Sequence, residues 1–184
     1  MFNILTPSKF NFSKIRKHIT ASIALLAVSL PVFAQFVDEK QWPKITPLTP
    51  TDEAHLVNQR DSIDELTSLK LGTPIKGNKS DLETLQRIID QKLIPSSDRL
   101  QLQALGVVLG DQFQREYKLE WRVYEDQLGR SRALCFPQTE HCIFPITMLS
   151  RRMEAGLSPN VSDIYAKTAE SLKPLTPKLP YSVN

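Results

Sequence analysis

Apolar positions recur at three- and four-residue intervals in five stretches of the chain, and in three others they alternate with polar ones. The first spacing predicts amphipathic helices and the second predicts strands with one covered face. The strongest stretch is Ser97 to Glu125, SDRLQLQALGVVLGDQFQREYKLEWRVYE. Its first two thirds read as one long helix and its last third as a strand turned back against it. Leu102, Leu105, Leu109 and Phe113 form the helical stripe, with Val108 beside them. Ser97 is the expected N-cap, and Asp98 places negative charge in the first turn. Gly106 and Gly110 lie four residues apart beside the stripe. Each should cost a helix about 1 kcal/mol relative to Ala, so their use points to close approach by another backbone. That approach is either internal packing or a groove for a partner or ligand. A membrane dimerisation motif is excluded, because the apolar run is short and flanked by charge.

The other elements follow in order. Thr49-Pro50 starts a helix with Pro at its first position, Leu56, Ile63, Leu66 and Leu69 supply its face, and Gly72 and Pro74 stop it. Ser80-Asp81-Leu82-Glu83 has the capping-box pattern ahead of a helix carrying Leu82, Leu85, Ile89 and Leu93. Pro95 ends that helix, and the long helix begins two residues later, which predicts an antiparallel hairpin. Leu119, Trp121 and Val123 alternate with polar neighbours. After a turn containing Gly129, strands are expected at 132–136 and 141–144. A helix from Pro145 or Ile146 to Ala155, stopped by Gly156, buries Ile146, Leu149 and Met153. A last helix capped by Asn160 carries Val161, Ile164, Tyr165 and Leu172. The expected fold class is α+β: a helical hairpin packed on a three-stranded antiparallel meander, followed by two helices.

The first 34 residues change the charge argument. They hold Lys9, Lys14, Arg16 and Lys17, no acidic residue, an apolar run from Ile19 to Leu30, and Val32-Phe33-Ala34 after Pro31. This is the order of an export signal, with cleavage expected after Ala34. The run is too short for a stable membrane span, so no stable membrane insertion is expected after cleavage. Removing these four cations from 23 Lys+Arg leaves 19 against 20 Asp+Glu, so the formal charge moves from +3 to −1. The basic balance therefore belongs to the export signal, and no basic stripe argues for nucleic acid. A Pro-rich arm is expected at 35–50, a single domain at 51–173 and a Pro-rich extended tail at 174–184. The expected location is periplasmic or secreted.

Beyond the signal there are two histidines, His55 and His141, and no H-E-x-x-H, G-x-S-x-G, phosphate loop or dinucleotide fingerprint. No cofactor, metal or catalytic residue is expected. Cys135 and Cys142 flank a six-residue connection, and export favours a disulfide between them, with free thiols or a metal or redox role as alternatives. Glu125 and Asp126, with Glu120 nearby, suit either a solvated turn or acid–base chemistry. Arg130, Arg132, Arg151 and Arg152 suit either an anion or acidic partner, or surface ion pairs worth little. Trp121, on the alternating face, suits core packing or ligand stacking.

The segments DLETLQRIID, LQALGVVLGD, LEWRVYEDQLGR and CIFPITMLSRRME resemble the bacterial family of uncharacterised proteins called DUF3806, from about Trp42 to Tyr165. The resemblance implies domain limits and no mechanism. The cysteine pair is not part of that pattern. The functional expectation is thus an exported, non-catalytic binding or interaction domain for a protein or envelope component. Its candidate binding residues are Gly106, Gly110, Trp121, Glu125, Asp126, Arg130, Arg151 and Arg152. An enzyme using Glu125 or Asp126 with arginines, and a structural subunit of an envelope assembly, are the alternatives.

Overall fold

The computed structural model describes residues 42–176. The expected export segment and its cleavage position, the first part of the expected arm and the end of the expected tail lie outside the described residues. In chain order the elements are β1 (Lys44–Pro47), α1 (Pro50–Leu71), α2 (Ser80–Asp90), α3 (Arg99–Tyr117), β2 (Glu120–Asp126), β3 (Gly129–Cys135), β4 (Cys142–Ile143), α4 (Pro145–Glu154) and α5 (Val161–Leu172). A short 3-10 turn, Lys173–Leu175, starts what was expected to be an extended tail. The class is α+β, and the meander carries a fourth strand. The Pro-rich arm supplies β1, which pairs antiparallel with β2 at the edge of the order β1-β2-β3-β4. Pro43 and Pro47 flank or end that strand, where a missing N–H costs an edge little.

α3 is the centre of the helical layer. Leu102, Leu105, Leu109 and Phe113 are fully buried, and so are Val107 and Val108. Its most extensive neighbours are α4 and then α1, with α2 a lesser one, so the expected α2–α3 hairpin is not the main helix pair. The glycines explain the preference for α4. A Cβ on Gly106 would lie 2.5 Å from both the Ile146 Cα and the Pro145 carbonyl oxygen, and one on Gly110 would lie 2.6 Å from the Trp121 ring. The two helix backbones meet where no side chain fits.

Local chemistry sets the helix ends, not always as expected. The capping box forms at α1: the Asp52 amide donates to Thr49 Oγ1 at 3.2 Å, and the Thr49 amide donates to Asp52 Oδ2 at 3.1 Å. The box expected from Ser80 and Glu83 is absent. Asp81 is fully buried and turns its carboxylate back to the amides of Lys76 (2.8 Å) and Asn78 (3.0 Å), with Gln112 donating to it at 3.2 Å. At α3 the cap is Asp98 and not Ser97, its Oδ1 accepting from the Gln101 amide. Asn160 caps α5 as expected. The buried line of α1 is Asp52, Leu56, Gln59, Ile63 and Thr67, while Leu69, read as part of that face, is 73% exposed.

The hairpin between β2 and β3 pairs Trp121 with Leu134, Val123 with Arg132 and Glu125 with Arg130. These six side chains share one face, because strand side chains alternate. That face grades from apolar at one end to charged at the other. Cys135 and Cys142 are directly opposed on β3 and β4 and are joined by a disulfide. On the far side of α3, Tyr165 stacks on Phe113 with ring centroids 4.7 Å apart and donates its hydroxyl to Glu116.

Candidate functional site

The charged end of that strand face meets the start of α1. The capping box fixes Asp52 there, 1% exposed, with its carboxylate aimed at β3. Arg130 Nη2 donates to Asp52 Oδ2 at 2.5 Å, and Arg132 Nε and Nη2 each lie 2.9 Å from Oδ1. The Thr49 hydroxyl adds a bond at 2.7 Å. The Arg130 bond, the Thr49 bonds and the field of Arg130 outweigh burial and hold the Asp52 carboxyl far below the ordinary carboxylate range. The same contact raises Arg130. One buried carboxylate thus aligns two guanidinium groups.

Beyond them lies a cleft of about 260 Å³, lined by side chains from α1, α3, β3 and α4, among them His55, Gln103, Arg130, Arg132, Thr147 and Arg151. None of its lining residues is acidic. Thr147 and Arg151 stand one turn apart on α4 and so project to the same side. Arg151 is exposed and has no ion-pair or hydrogen-bond partner among the described residues. Burial, then the nearby Arg132 charge, lower the pKa of His55 against a weaker opposing pull from Asp52. The imidazole is therefore neutral at pH 7, a hydrogen-bonding group rather than a further cation. Phe144 and Ile146 add an apolar wall. At the rim Glu125 stands opposite Arg130 on one side and Lys44 on the other. Counting the lining Arg130, Arg132 and Arg151 against the Asp52 carboxylate behind them leaves an excess of two positive charges, and Glu125 and Lys44 oppose each other beyond the cleft.

The other predicted residues go elsewhere. Gly106, Gly110 and Trp121 are consumed by internal packing: the indole lies on Gly110, 7% exposed, and its Nε1 donates to Asp111 Oδ1 at 3.2 Å. Asp126 closes the hairpin turn, its Oδ1 accepting from the amides of Leu128 (2.8 Å) and Gly129 (3.1 Å). Arg152 points away from the cleft and donates to the Met148 carbonyl. Of the four arginines considered from sequence, the fold brings three together. Asp52, His55 and Gln103 were missed as site residues. The Thr-x-x-Asp spacing at 49–52 is the signal that could have drawn attention to Asp52. Among the described residues no group of three or more His, Cys, Asp or Glu side chains could hold a metal ion, and no helix is long and apolar enough to cross a membrane.

A larger cavity of about 600 Å³ opens beside the disulfide loop. Its cations are Lys44 and Arg122, but Arg122 is paired with Glu120 and a carboxylate, Glu140, also lines it, so charge does not converge there.

Residues 81–165 match a family model described as Domain of unknown function (DUF3806). The match begins inside α2 and leaves β1 and α1, hence Asp52 and His55, outside it. No curated protein matches the chain. A crystal structure from Bacteroides thetaiotaomicron VPI-5482 is similar, with a TM-score of 0.65 and 18% identity over 73% of this chain. The match takes in 50% of that protein, so the chain spans about half its length. At that identity the likeness concerns the fold.

Proposed function

With residues 81–165 matching DUF3806, a family that carries no assigned activity, we propose that this chain is an exported, non-catalytic binding domain that takes an anionic group of an envelope component in the basic cleft. Export is supported by the basic, apolar and small-residue order of the first 34 residues, with cleavage after Ala34, and by the pairing of both cysteines. Binding rests on one observation: Arg151 stands without a counter-ion across the cleft from two arginines that share a single buried carboxylate. Guanidinium groups with N–H donors left over are suited to planar or tetrahedral oxyanions. The enzyme alternative keeps only Glu125, since Asp126 is committed to the hairpin turn and Arg130 and Arg132 to Asp52.

Two measurements test this. N-terminal sequencing of the chain recovered from the periplasm or medium should begin at Gln35. Retention of the purified chain on immobilised envelope material should fall at least tenfold in Arg151→Glu. Equal retention of the variant and the parent would remove the cleft from the account.

A further inference from the structure

We infer that the ligand group at this cleft is a doubly charged phosphate, and that Arg151 is the residue that selects it. The inference rests on the anion-binding reading above and adds the chemical class.

Three features of the cleft carry it. The first is charge. The cleft and its rim hold an excess of two positive charges, and no carboxylate lines the cavity itself. A phosphate monoester brings about −1.5 to −2 charges at pH 7, which matches that excess in one compact group. A single carboxylate would leave a cation unmatched.

The second is donor supply. Arg132 spends Nε and Nη2 on Asp52 and keeps Nη1, Arg130 spends Nη2 and keeps Nε and Nη1, and Arg151 spends nothing. A guanidinium carries five N–H donors and no acceptor. The surplus therefore consists almost wholly of donors, which is what a group with three acceptor oxygens requires. The Thr147 hydroxyl donates to the Phe144 carbonyl, leaving its oxygen turned to acceptor use, while Gln103 and the neutral His55 each offer one more donor.

The third is placement. Asp52 lies behind the arginines and not in the cavity. Its bonds orient the guanidinium groups without filling the site, so the cost of ordering them is met before any ligand arrives. The cavity of about 260 Å³ admits a phosphate and a small substituent against Phe144 and Ile146, and an extended acidic chain would engage it at one residue only.

The test is calorimetric titration of the chain as purified from cells, at constant ionic strength, with inorganic phosphate, glycerol phosphate and succinate. Phosphate and glycerol phosphate should bind at least tenfold more tightly than succinate. Arg151→Gln should lose that binding by tenfold or more while its unliganded melting temperature stays nearly unchanged, because the side chain is exposed and makes no ion pair or hydrogen bond among the described residues. Arg152→Gln, on the same helix but turned away, should bind like the parent. A second variant, Arg130→Lys, keeps the charge and the Asp52 contact but loses the fork, and should weaken phosphate binding by several-fold. Vesicles containing phosphatidic acid, compared with phosphatidylglycerol at equal surface charge, separate the sources. Preference for the monoester vesicles over glycerol phosphate assigns a lipid headgroup, and equal affinity assigns a soluble phosphate. Succinate binding as tightly as phosphate overturns the phosphate class while leaving an anion cleft. Phosphate binding that is absent, or undiminished in Arg151→Gln, overturns the inference; if the Arg151-dependent retention on envelope material persists, the broader reading survives it.

Discussion

Two aspartates in this molecule meet arginines, with opposite results. Asp111, on α3, receives Arg60 of α1 through two parallel bonds, Nε at 2.6 Å and Nη2 at 2.8 Å, and the Trp121 indole takes up Oδ1 as well. Charge there is balanced one to one, and both carboxylate oxygens are taken. Asp52, also on α1, meets two arginines with one carboxylate and faces a third across a cavity. Both contacts fasten α1, one to α3 and one to β3. Only the second leaves charge over. An ion pair that is complete serves the fold, and one that is incomplete and opens on a cavity has capacity for a ligand. The ratio of guanidinium to carboxylate groups separates the two cases where residue type does not.

The largest expected effect lies at the closed side. Gly106→Ala places a methyl against the backbone of α4, which cannot yield as a side-chain tip can, so a loss of about 3 kcal/mol is expected. Gly110→Ala meets the Trp121 ring and the Pro145 Cβ, both side chains, and should cost less than Gly106→Ala. Thermal melts check both, and a rise in melting temperature for either would place the helix contact elsewhere.

Asp111→Asn should cost about 2 kcal/mol, since it strips the charge from a bidentate, half-buried pair. Denaturant unfolding would show it, and an unchanged midpoint would mean the pair is worth no more than a surface contact.

Asp52→Asn sharpens the comparison through pH. The native Asp52 carboxyl titrates far below its unfolded value of about 3.9, so its contribution is complete above pH 4 and is lost as pH falls toward the native value. The variant should therefore be less stable than the parent at pH 7, by about 2 kcal/mol, and the gap should close on acidification below pH 4. A gap independent of pH between 7 and 3 would sink this account. Because Arg130 and Arg132 lose their alignment, anion affinity should fall as well, which Asp111→Asn should not cause.

The smallest effect on stability, within about 0.5 kcal/mol, is expected for Arg151→Gln, an exposed residue with no partner in the described fold. The comparison requires this residue to be nearly silent in melts and prominent in binding. A large stability loss would show that Arg151 belongs to the fold.

Much of the fold was legible in the chain. Period and punctuation placed five helices and the three strands after α3, and the opposed cysteines and the stop at Gly156 followed from short spacings. The misplaced details share a cause. Lys44–Pro47 carries too few residues for a two-residue alternation to stand out, and it becomes a strand only because β2 offers an edge. Leu69 lies on an apolar spacing that α1 leaves in water, while Asp52, Gln59 and Thr67 take buried positions: Asp52 meets Arg130 and Arg132, the Gln59 amide donates to the Leu100 carbonyl, and the Thr67 hydroxyl donates back to the Asp64 carbonyl. Ser80 and Glu83 have the letters of a capping box, but Asp81 has a better use in the turn it closes.

The sequence by itself determined what neighbours along the chain decide: helical and strand periods, proline and glycine stops, the Thr49–Asp52 and Asn160 caps, and the turn at Asp126. Tertiary structure alone decided which glycines meet a backbone and which arginines meet a carboxylate. Arg130 and Asp52 are 78 residues apart, and nothing local couples them. Their meeting depends on α4 seating on the bare face of α3 and on α1 running from the sheet edge toward β3. A hydrogen bond acts over about 3 Å, and only packing brings residues from four elements within that range.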